Sequence, residues 1–371
     1  MTDGIRPFMI EVPQVDLDDL QDRLARTRWP DELTDVGWDY GVPMGFVRSL
    51  ADRWQGSYDW RAWESRLNGY PQFTTTIDGQ DIHFLHVRSP QEGAFPLILT
   101  HGWPGSIVEY ADVIDALSDP QGHGGDAADA FDLVIPSLPG FGFSGPTHER
   151  GWSRYRTAAA WAELMRRLGY ERYGAVGNDA GSMVSPELGR LDPDHVAGVH
   201  VTQVFSFPSG DPSEMADLTE EEQRELGTLQ WFMENKIAFN QLMAQQPQTI
   251  AYPLLDSPVG LLSWNSQLFD ESMDPDFILT NVTLYWLTKT AGSAARMYYE
   301  DAHATPPTEP TTLPMAVAAF AGDFSGIRRF ADRDHENIVR WTTYDHGGHF
   351  AAAKVPDLLT GDVRESFRDL R

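Results

Sequence analysis

One turn constrains this chain more than any other stretch. Residues 172–176 read as a short buried strand and residues 182–190 as the start of a helix, and between them stands Gly177-Asn178-Asp179-Ala180-Gly181. A small residue two before and two after a central side chain is the spacing of a nucleophile elbow. Such a strand-to-helix turn is sharp enough to push the central side chain out over the sheet edge. Glycine suits Gly177 and Gly181 because a Cβ there would strike the neighbouring strand or helix. The central residue here is a carboxylate and not a hydroxyl. A carboxylate can attack an electrophilic carbon and leave an ester for later hydrolysis, and the helix N-terminus below it favours negative charge. Taken alone, the same residues would also suit an aspartate capping a helix beside a turn, so the surrounding chain has to decide.

That surrounding chain alternates strands with helices. Phe95–Thr100, Phe131–Pro136, residues 196–203, Met315–Phe320 and Ile338–Tyr344 read as strands, residues 157–168 as an amphipathic helix, and a closing helix begins near Pro356. This order predicts an α/β fold, a mostly parallel sheet with helices on both faces. Ahead of it lies a tryptophan-rich, mostly helical block. Val15, Leu17, Leu20 and Leu24 mark a helix over 15–27, which Trp29-Pro30 stops because proline disfavours helical geometry in the residue before it. Further helices are expected over 43–54 and 58–67, then a β-hairpin turning at Asp78-Gly79. The expected division is an N-terminal domain at 1–95, a core at 96–206, a helix-rich lid at 207–310 and the rest of the core at 311–371.

Composition removes several functions. The net charge of −27 repels phosphate backbones, so nucleic-acid binding is disfavoured. There are no cysteines, hence no disulfide, thiolate metal site or redox dithiol. The first residues hold Asp3, Arg6 and Glu11 and no apolar core of a signal peptide. No apolar run approaches the roughly 20 residues of a membrane span. A cytoplasmic protein with no membrane partner is therefore expected.

A carboxylate nucleophile needs a base for the second step. His349, in Asp345-His346-Gly347-Gly348-His349-Phe350 just past the last strand, is the candidate, with His346 the rival on the same loop. Asp323, after Ala321-Gly322, is the candidate acid that orients it; alone it would pass for a turn aspartate. Both stand at strand C-termini, where such sheets gather ligands, and the chain order is nucleophile, acid, histidine. The third part is an oxyanion hole. The N–H groups of Trp103, in His101-Gly102-Trp103-Pro104, and of Ala180 could both point at one oxygen of the Asp179 carboxyl. A cis bond before Pro104 would hold that turn.

These pieces carry a resemblance. His101 to Ser106, Leu138-Pro139-Gly140-Phe141-Gly142-Phe143-Ser144, Gly177 to Ser182, Asp256 to Leu261, Leu279 to Trp286 and Gly347 to Ala352 together resemble epoxide hydrolases of the microsomal type, within the α/β-hydrolase superfamily. Thr27-Arg28-Trp29-Pro30 and the stretch from Trp60-Arg61 to Asn68 resemble that family's N-terminal domain. The resemblance implies an α/β-hydrolase fold with a helical lid, and a small-molecule epoxide as substrate. It implies Asp179 as nucleophile, His349 as base and Asp323 as its partner, with no metal or organic cofactor. A homodimer stays open. The family's lid carries two tyrosines that protonate the epoxide oxygen. Tyr298, in Arg296-Met297-Tyr298-Tyr299-Glu300, matches the second; the first position, eight residues before Pro247, is Phe239, which has no proton to give. Either Tyr298 works alone, or Asn240, Gln241 or Trp231 helps bind the oxygen. Some secondary-metabolite epoxide hydrolases, those acting on enediyne intermediates included, resemble the N-terminal pattern and vary at the lid.

The implied product is a vicinal diol. Phe141, Phe143, Trp103 and Phe239 near the expected site favour an aryl or lipophilic epoxide. A haloalkane-type dehalogenase would use the same Asp–His–Asp set, with Trp103 or Trp231 as halide donors. A ligand-binding receptor on the same fold, without turnover, is the non-enzymatic alternative.

Overall fold

The computed structural model describes residues 4–324 and 326–371. Residues 1–3, the start of the expected N-terminal domain, lie outside them. A short strand β1 (Arg6–Phe8) leads into helices α1 (Gln14–Ala25), α2 (Met44–Gly56) and α3 (Trp60–Asn68). Asp59 caps α3, its carboxylate accepting from the N–H groups of Arg61 and Ala62. Strands β2 (Gln72–Ile77) and β3 (Gln80–Val87) form the hairpin. Asp78 and Gly79 both take positive φ, 49° and 76°, as a two-residue turn matched to strand twist requires.

The core then alternates: β4 (Phe95–Thr100), α4 (Ile114–Ser118), β5 (Phe131–Pro136), α5 (Arg154–Leu168), β6 (Tyr173–Gly177), α6 (Ala180–Leu191) and β7 (Val196–Val201). Six helices follow: α7 (Glu220–Asn235), α8 (Ala238–Gln245), α9 (Pro247–Asp256), α10 (Pro258–Asn265), α11 (Pro275–Thr288) and α12 (Ala291–His303). The chain returns to the sheet with β8 (Met315–Phe320), α13 (Arg328–Asp334), β9 (Ile338–Tyr344), α14 (Ala351–Lys354) and α15 (Pro356–Phe367).

Among the described residues nine strands form one sheet in the order β1-β2-β3-β5-β4-β6-β7-β8-β9. Pairs up to β3–β5 are antiparallel and the rest parallel. Every residue of β6 and β8 is buried, as in a parallel sheet covered on both sides. Two glycines of β6 show what covers it. Residues 174 and 177 face opposite sides of a strand. A Cβ on Gly174 would meet the Phe367 ring of α15, and one on Gly177 the Gly181 carbonyl of α6.

The mostly helical N-terminal block thus also supplies the sheet's antiparallel end. Strand β1 was not expected, because three residues are too few to show alternation. The helices of that block lie on the lid. Arg53 pairs with Asp276 through two bonds of 2.6 and 2.8 Å, Tyr58 donates to Thr280 at 3.0 Å, and Arg23 donates to the Asp256 carbonyl at 2.8 Å. Helix α11 is enclosed between these helices and the core, and every residue from 277 to 286 is buried. Helix α7 is its opposite: of its residues only Leu229 is buried. Among the described residues no helix is long and apolar enough to cross a membrane.

Candidate active site

Strand β6 stops at Gly177 and α6 starts at Ala180, so the chain reverses within two residues. Asp179 takes φ 52° and ψ −118°, a region that residues with a Cβ seldom occupy and that persists only where the surroundings enforce it. The surroundings are close. A Cβ on Gly181 would enter the Thr100 carbonyl, and one on Gly102 the Asp179 carboxylate itself. Close approach of three chain segments thus leaves no room for side chains other than the carboxylate.

The two oxygens of that carboxylate have different partners. Oδ1 accepts from the Trp103 N–H at 2.9 Å, and the Ala180 N–H also bonds the carboxyl. Oδ2 faces His349, with Nε2 at 4.0 Å. Burial pushes the Asp179 carboxyl up, and the nearby His349 charge with the two N–H groups pulls it back. The Trp103–Pro104 bond is cis.

His349 arrives on a loop whose preceding residues, Gly347 and Gly348, have φ of 127° and 67°. Its Nδ1 lies 2.9 Å from Asp323 Oδ1. Asp323 follows Gly322, also at positive φ, 92°. His349 Nε2 is buried without a hydrogen-bond partner among the described residues. Burial works against an imidazolium here. The Asp323 charge and hydrogen bond, then Asp179 and Glu109, outweigh it and raise the imidazole to about 9. His346 is 64 % exposed and bonds its neighbour Asp345 at 2.5 Å, away from this cluster.

The lid closes the site with aromatic rings. Phe239 of α8 stacks on Trp103 at 5.1 Å, Tyr298 of α12 meets Trp103 edge-on at 6.2 Å and Phe239 at 6.3 Å, and Trp264 lies 6.5 Å from Trp103. Burial, and next the Asp179 charge, push the Tyr298 phenol well above its usual range, so it stays protonated.

The structure brings together Asp179, His349, Asp323, Tyr298, Trp103, Ala180 and Phe239. It places other candidates elsewhere. Trp231 is 53 % exposed on α7, beside the Lys236 ammonium. Gln241 is exposed and Asn240 half-buried, because on a helix that turns Phe239 inward the residue two further on points out. Phe141 packs on His101 and Tyr285, at 5.8 and 6.1 Å, behind the site. A cavity of 530 Å³ between residues 27–47 and α10 holds none of the triad.

Two residues beside the triad went unnoticed in the sequence. Glu109 is 1 % exposed, and its Oε1 accepts from Asn178 at 2.6 Å. Burial pushes its carboxyl up to about 8. An acid inside the apolar run Ile107-Val108-Glu109-Tyr110 was the available signal. Gln203, 1 % exposed, bonds both the Asp179 N–H and Asp323; as a lone polar residue just past a strand it carried no signal.

Comparison with known proteins gives the same picture. The model of the epoxide hydrolase N terminus matches residues 5–110, and that of the α/β-hydrolase fold residues 96–246. A protein of Stigmatella aurantiaca (strain DW4/3-1) named "Putative epoxide hydrolase" is 44% identical over 99% of this chain and 86% of its own. Epoxide hydrolase 1 of Sus scrofa is 29% identical over 98% of this chain and 88% of its own. The structure of the Aspergillus niger epoxide hydrolase superposes with a TM-score of 0.88 at 29% identity, over 99% of this chain and 97% of that one.

Proposed function

The chain belongs to the epoxide hydrolase family and hydrolyses epoxides, and we propose that it does so through an ester on Asp179, opening an aryl or lipophilic epoxide to a vicinal diol. Asp179 Oδ2 attacks one ring carbon from behind. The Tyr298 phenol donates its proton to the leaving oxygen. Oδ1 stays in the Trp103 and Ala180 N–H groups as the ester carbonyl. The aromatic faces of Trp103, Phe239 and Tyr298 suit an apolar substituent. With Phe239 lacking a hydroxyl, Tyr298 is the acid.

Esterification then turns His349 into a base. In the free enzyme the Asp179 charge helps hold a proton on the imidazole. The ester has no such charge, burial pulls the imidazole down towards neutrality, and its proton makes good the one that Tyr298 gave up, since the buried phenol holds a proton well above its usual range. His349 Nε2 takes a proton from water, Asp323 steadies the imidazolium, and the water oxygen attacks the ester carbonyl. The tetrahedral oxyanion forms at Oδ1, beside the Trp103 N–H with the Ala180 N–H also on the carboxyl. Its collapse breaks the bond from the carbonyl carbon to Oδ2, and the diol leaves with that oxygen, taking a proton from the new carboxyl, whose water-derived oxygen replaces Oδ2.

The observation that carries this reading is the division of one carboxylate. Oδ1 sits 2.9 Å from the Trp103 nitrogen, and Oδ2 sits 4.0 Å from the His349 base. The test is the intact mass of His349→Gln after exposure to styrene oxide. A gain equal to the whole epoxide, mapped to the peptide holding Asp179, is expected. With an alkyl halide in its place, a gain of the alkyl group alone would move the protein to the dehalogenases. No adduct from either reagent would remove Asp179 as the nucleophile.

A further inference from the structure

Five loops meet at the site, after β4, β6, β7, β8 and β9, and one amide joins three of them. Gln203 stands two residues past β7. Its Oε1 accepts from the Asp179 N–H at 2.6 Å; the Ser182 and Thr202 hydroxyls lie 3.1 Å from it but have closer acceptors in the Gly177 carbonyl and Asn178. Its Nε2 donates to Asp323 Oδ2. The partners fix which end is which, since a backbone N–H can only donate and an ionised carboxylate can only accept. Nε2 also lies 3.2 Å from His349 Nδ1. That nitrogen spends its proton on Asp323 Oδ1, so the second distance is a close approach and not a bond.

Two consequences follow from this geometry. With Oδ2 occupied by the amide, the Asp323 carboxylate cannot rotate, and Oδ1 is left to His349. The same side chain also grips the backbone of the strained turn. The acid that orients the base and the turn that carries the nucleophile therefore share one anchor. The 4.0 Å between His349 Nε2 and Asp179 Oδ2 is set by that anchor.

We infer that Gln203 is a positioning residue for the hydrolytic half of the reaction, holding Asp323 on His349 and fixing the base at a water's reach from the ester. This rests on the assignment of Asp179, His349 and Asp323 proposed above. Formation of the ester needs Asp179 and Tyr298 but no proton transfer by His349, so it depends on Gln203 far less.

Single-turnover measurements with styrene oxide separate the two steps. Gln203→Glu keeps an acceptor for the Asp179 N–H and, where ionised, sets a second carboxylate against Asp323 in place of the amide donor; Gln203→Met loses both contacts. Ester formation in Gln203→Glu should stay within about fivefold of the unaltered enzyme, while ester hydrolysis slows by about 100-fold, the usual penalty for misplacing a reacting group. The acid limb of the hydrolysis profile should move to higher pH. In the ester Asp179 is uncharged, so His349 is faced by Asp323, Glu109 and the carboxylate introduced at 203, where the amide nitrogen lies 3.2 Å away in the unaltered chain; the added charge and the loss of the amide donor hold the imidazole proton harder. Gln203→Met should slow both steps, hydrolysis the more. Should that variant fail to fold, the near-isosteric Gln203→Glu still decides. Hydrolysis within threefold of the unaltered enzyme and an unmoved limb in Gln203→Glu would overturn the inference. So would equal slowing of both steps, which marks a packing role. The His349→Gln control keeps the two readings apart. If it traps no ester, the triad assignment fails; if it traps ester and Gln203→Glu hydrolyses normally, only the role of Gln203 fails.

Discussion

Two histidine–aspartate couples of the same length lie in this molecule, and they do opposite things. His349 Nδ1 sits 2.9 Å from Asp323 Oδ1 at the C-terminal edge of the strands; His200 Nε2 sits 2.9 Å from Asp362 Oδ1, between β7 and α15. Asp362 is saturated. It also accepts from the Tyr344 hydroxyl at 2.8 Å and from Arg340 at 3.2 Å, and both members of the couple are fully buried. Burial would raise that carboxyl, but the His200 bond and charge, with Tyr344 and Arg340, hold it far below its usual range. Asp323 has a second partner of another kind, the neutral amide of Gln203. The larger difference is on the far side of each ring. His200 Nδ1 is buried with no partner among the described residues, whereas His349 Nε2 looks across 4.0 Å at Asp179. The couple orients a ring in both places; it makes a base only where the other nitrogen opens on a nucleophile.

Exchanging the histidines tests that contrast most severely. His349→Gln should lower steady-state turnover by roughly 10,000-fold, the upper range for loss of a general base. His200→Gln should stay within about threefold when folded, because it touches no reacting atom. A folded His200→Gln with turnover as low as His349→Gln would break the comparison. The aspartates should divide the same way. Asp323→Asn should slow ester hydrolysis by about 1,000-fold and, because its charge is the main support of the raised imidazole, also lower the urea midpoint near neutral pH. Asp362→Asn should keep its rate constants and lose about 3 kcal/mol of unfolding free energy, the scale for removing one partner of a buried pair.

A third variant sharpens what the catalytic couple does by isolating the step that does not use it. Tyr298→Phe should slow ester formation by about 100-fold and leave hydrolysis of the ester alone. Rapid-quench traces on styrene oxide read both steps. Equal slowing of hydrolysis would mean that the tyrosine also holds the water.

The same contrast explains what could be read from the sequence. Asp179, His349 and Asp323 announce themselves because each sits on a turn that needs glycine. Gly177 and Gly181 make room for the elbow, and Gly322, Gly347 and Gly348 carry positive φ. His200 and Asp362 sit inside a strand and a helix and show nothing, since a buried pair requires no special backbone. Gln203 is hidden for a related reason. Its partner Asp323 is 120 residues away, and only the parallel order of β7 and β8 brings them together. Strands such as β4 and β8 were legible as apolar runs because both faces of the sheet are covered there. The lid was legible as helices but not in its facing. Trp231 looks like a ligand contact in the sequence, yet it stands on α7, whose inner face is spent on Leu229. Nothing in the local pattern of a barely buried helix fixes its rotation.

The smallest effect concerns pH, and there the two couples should pull in opposite directions. His349 is raised above its unfolded value of about 6.5 to about 9. It contributes stability that is fully present below about pH 6.5 and is lost as the pH climbs through 9. Asp362 is depressed, so its contribution is present above the unfolded aspartate value of about 4 and is lost as the solution turns acid. Urea midpoints across the pH range should therefore fall at both ends in the unaltered protein. His349→Gln should flatten the decline between pH 6.5 and 9 and leave the acid side alone. Asp362→Asn should flatten the acid side and keep the alkaline slope. An alkaline slope that survives in His349→Gln would assign it to a carboxyl that burial raises, Glu109 at about 8. Glu109→Gln is the variant that would then remove it. The catalytic couple carries its charge at a cost in alkaline stability because its base must later let go of the proton; the structural aspartate, held low by its partners, costs stability only on the acid side.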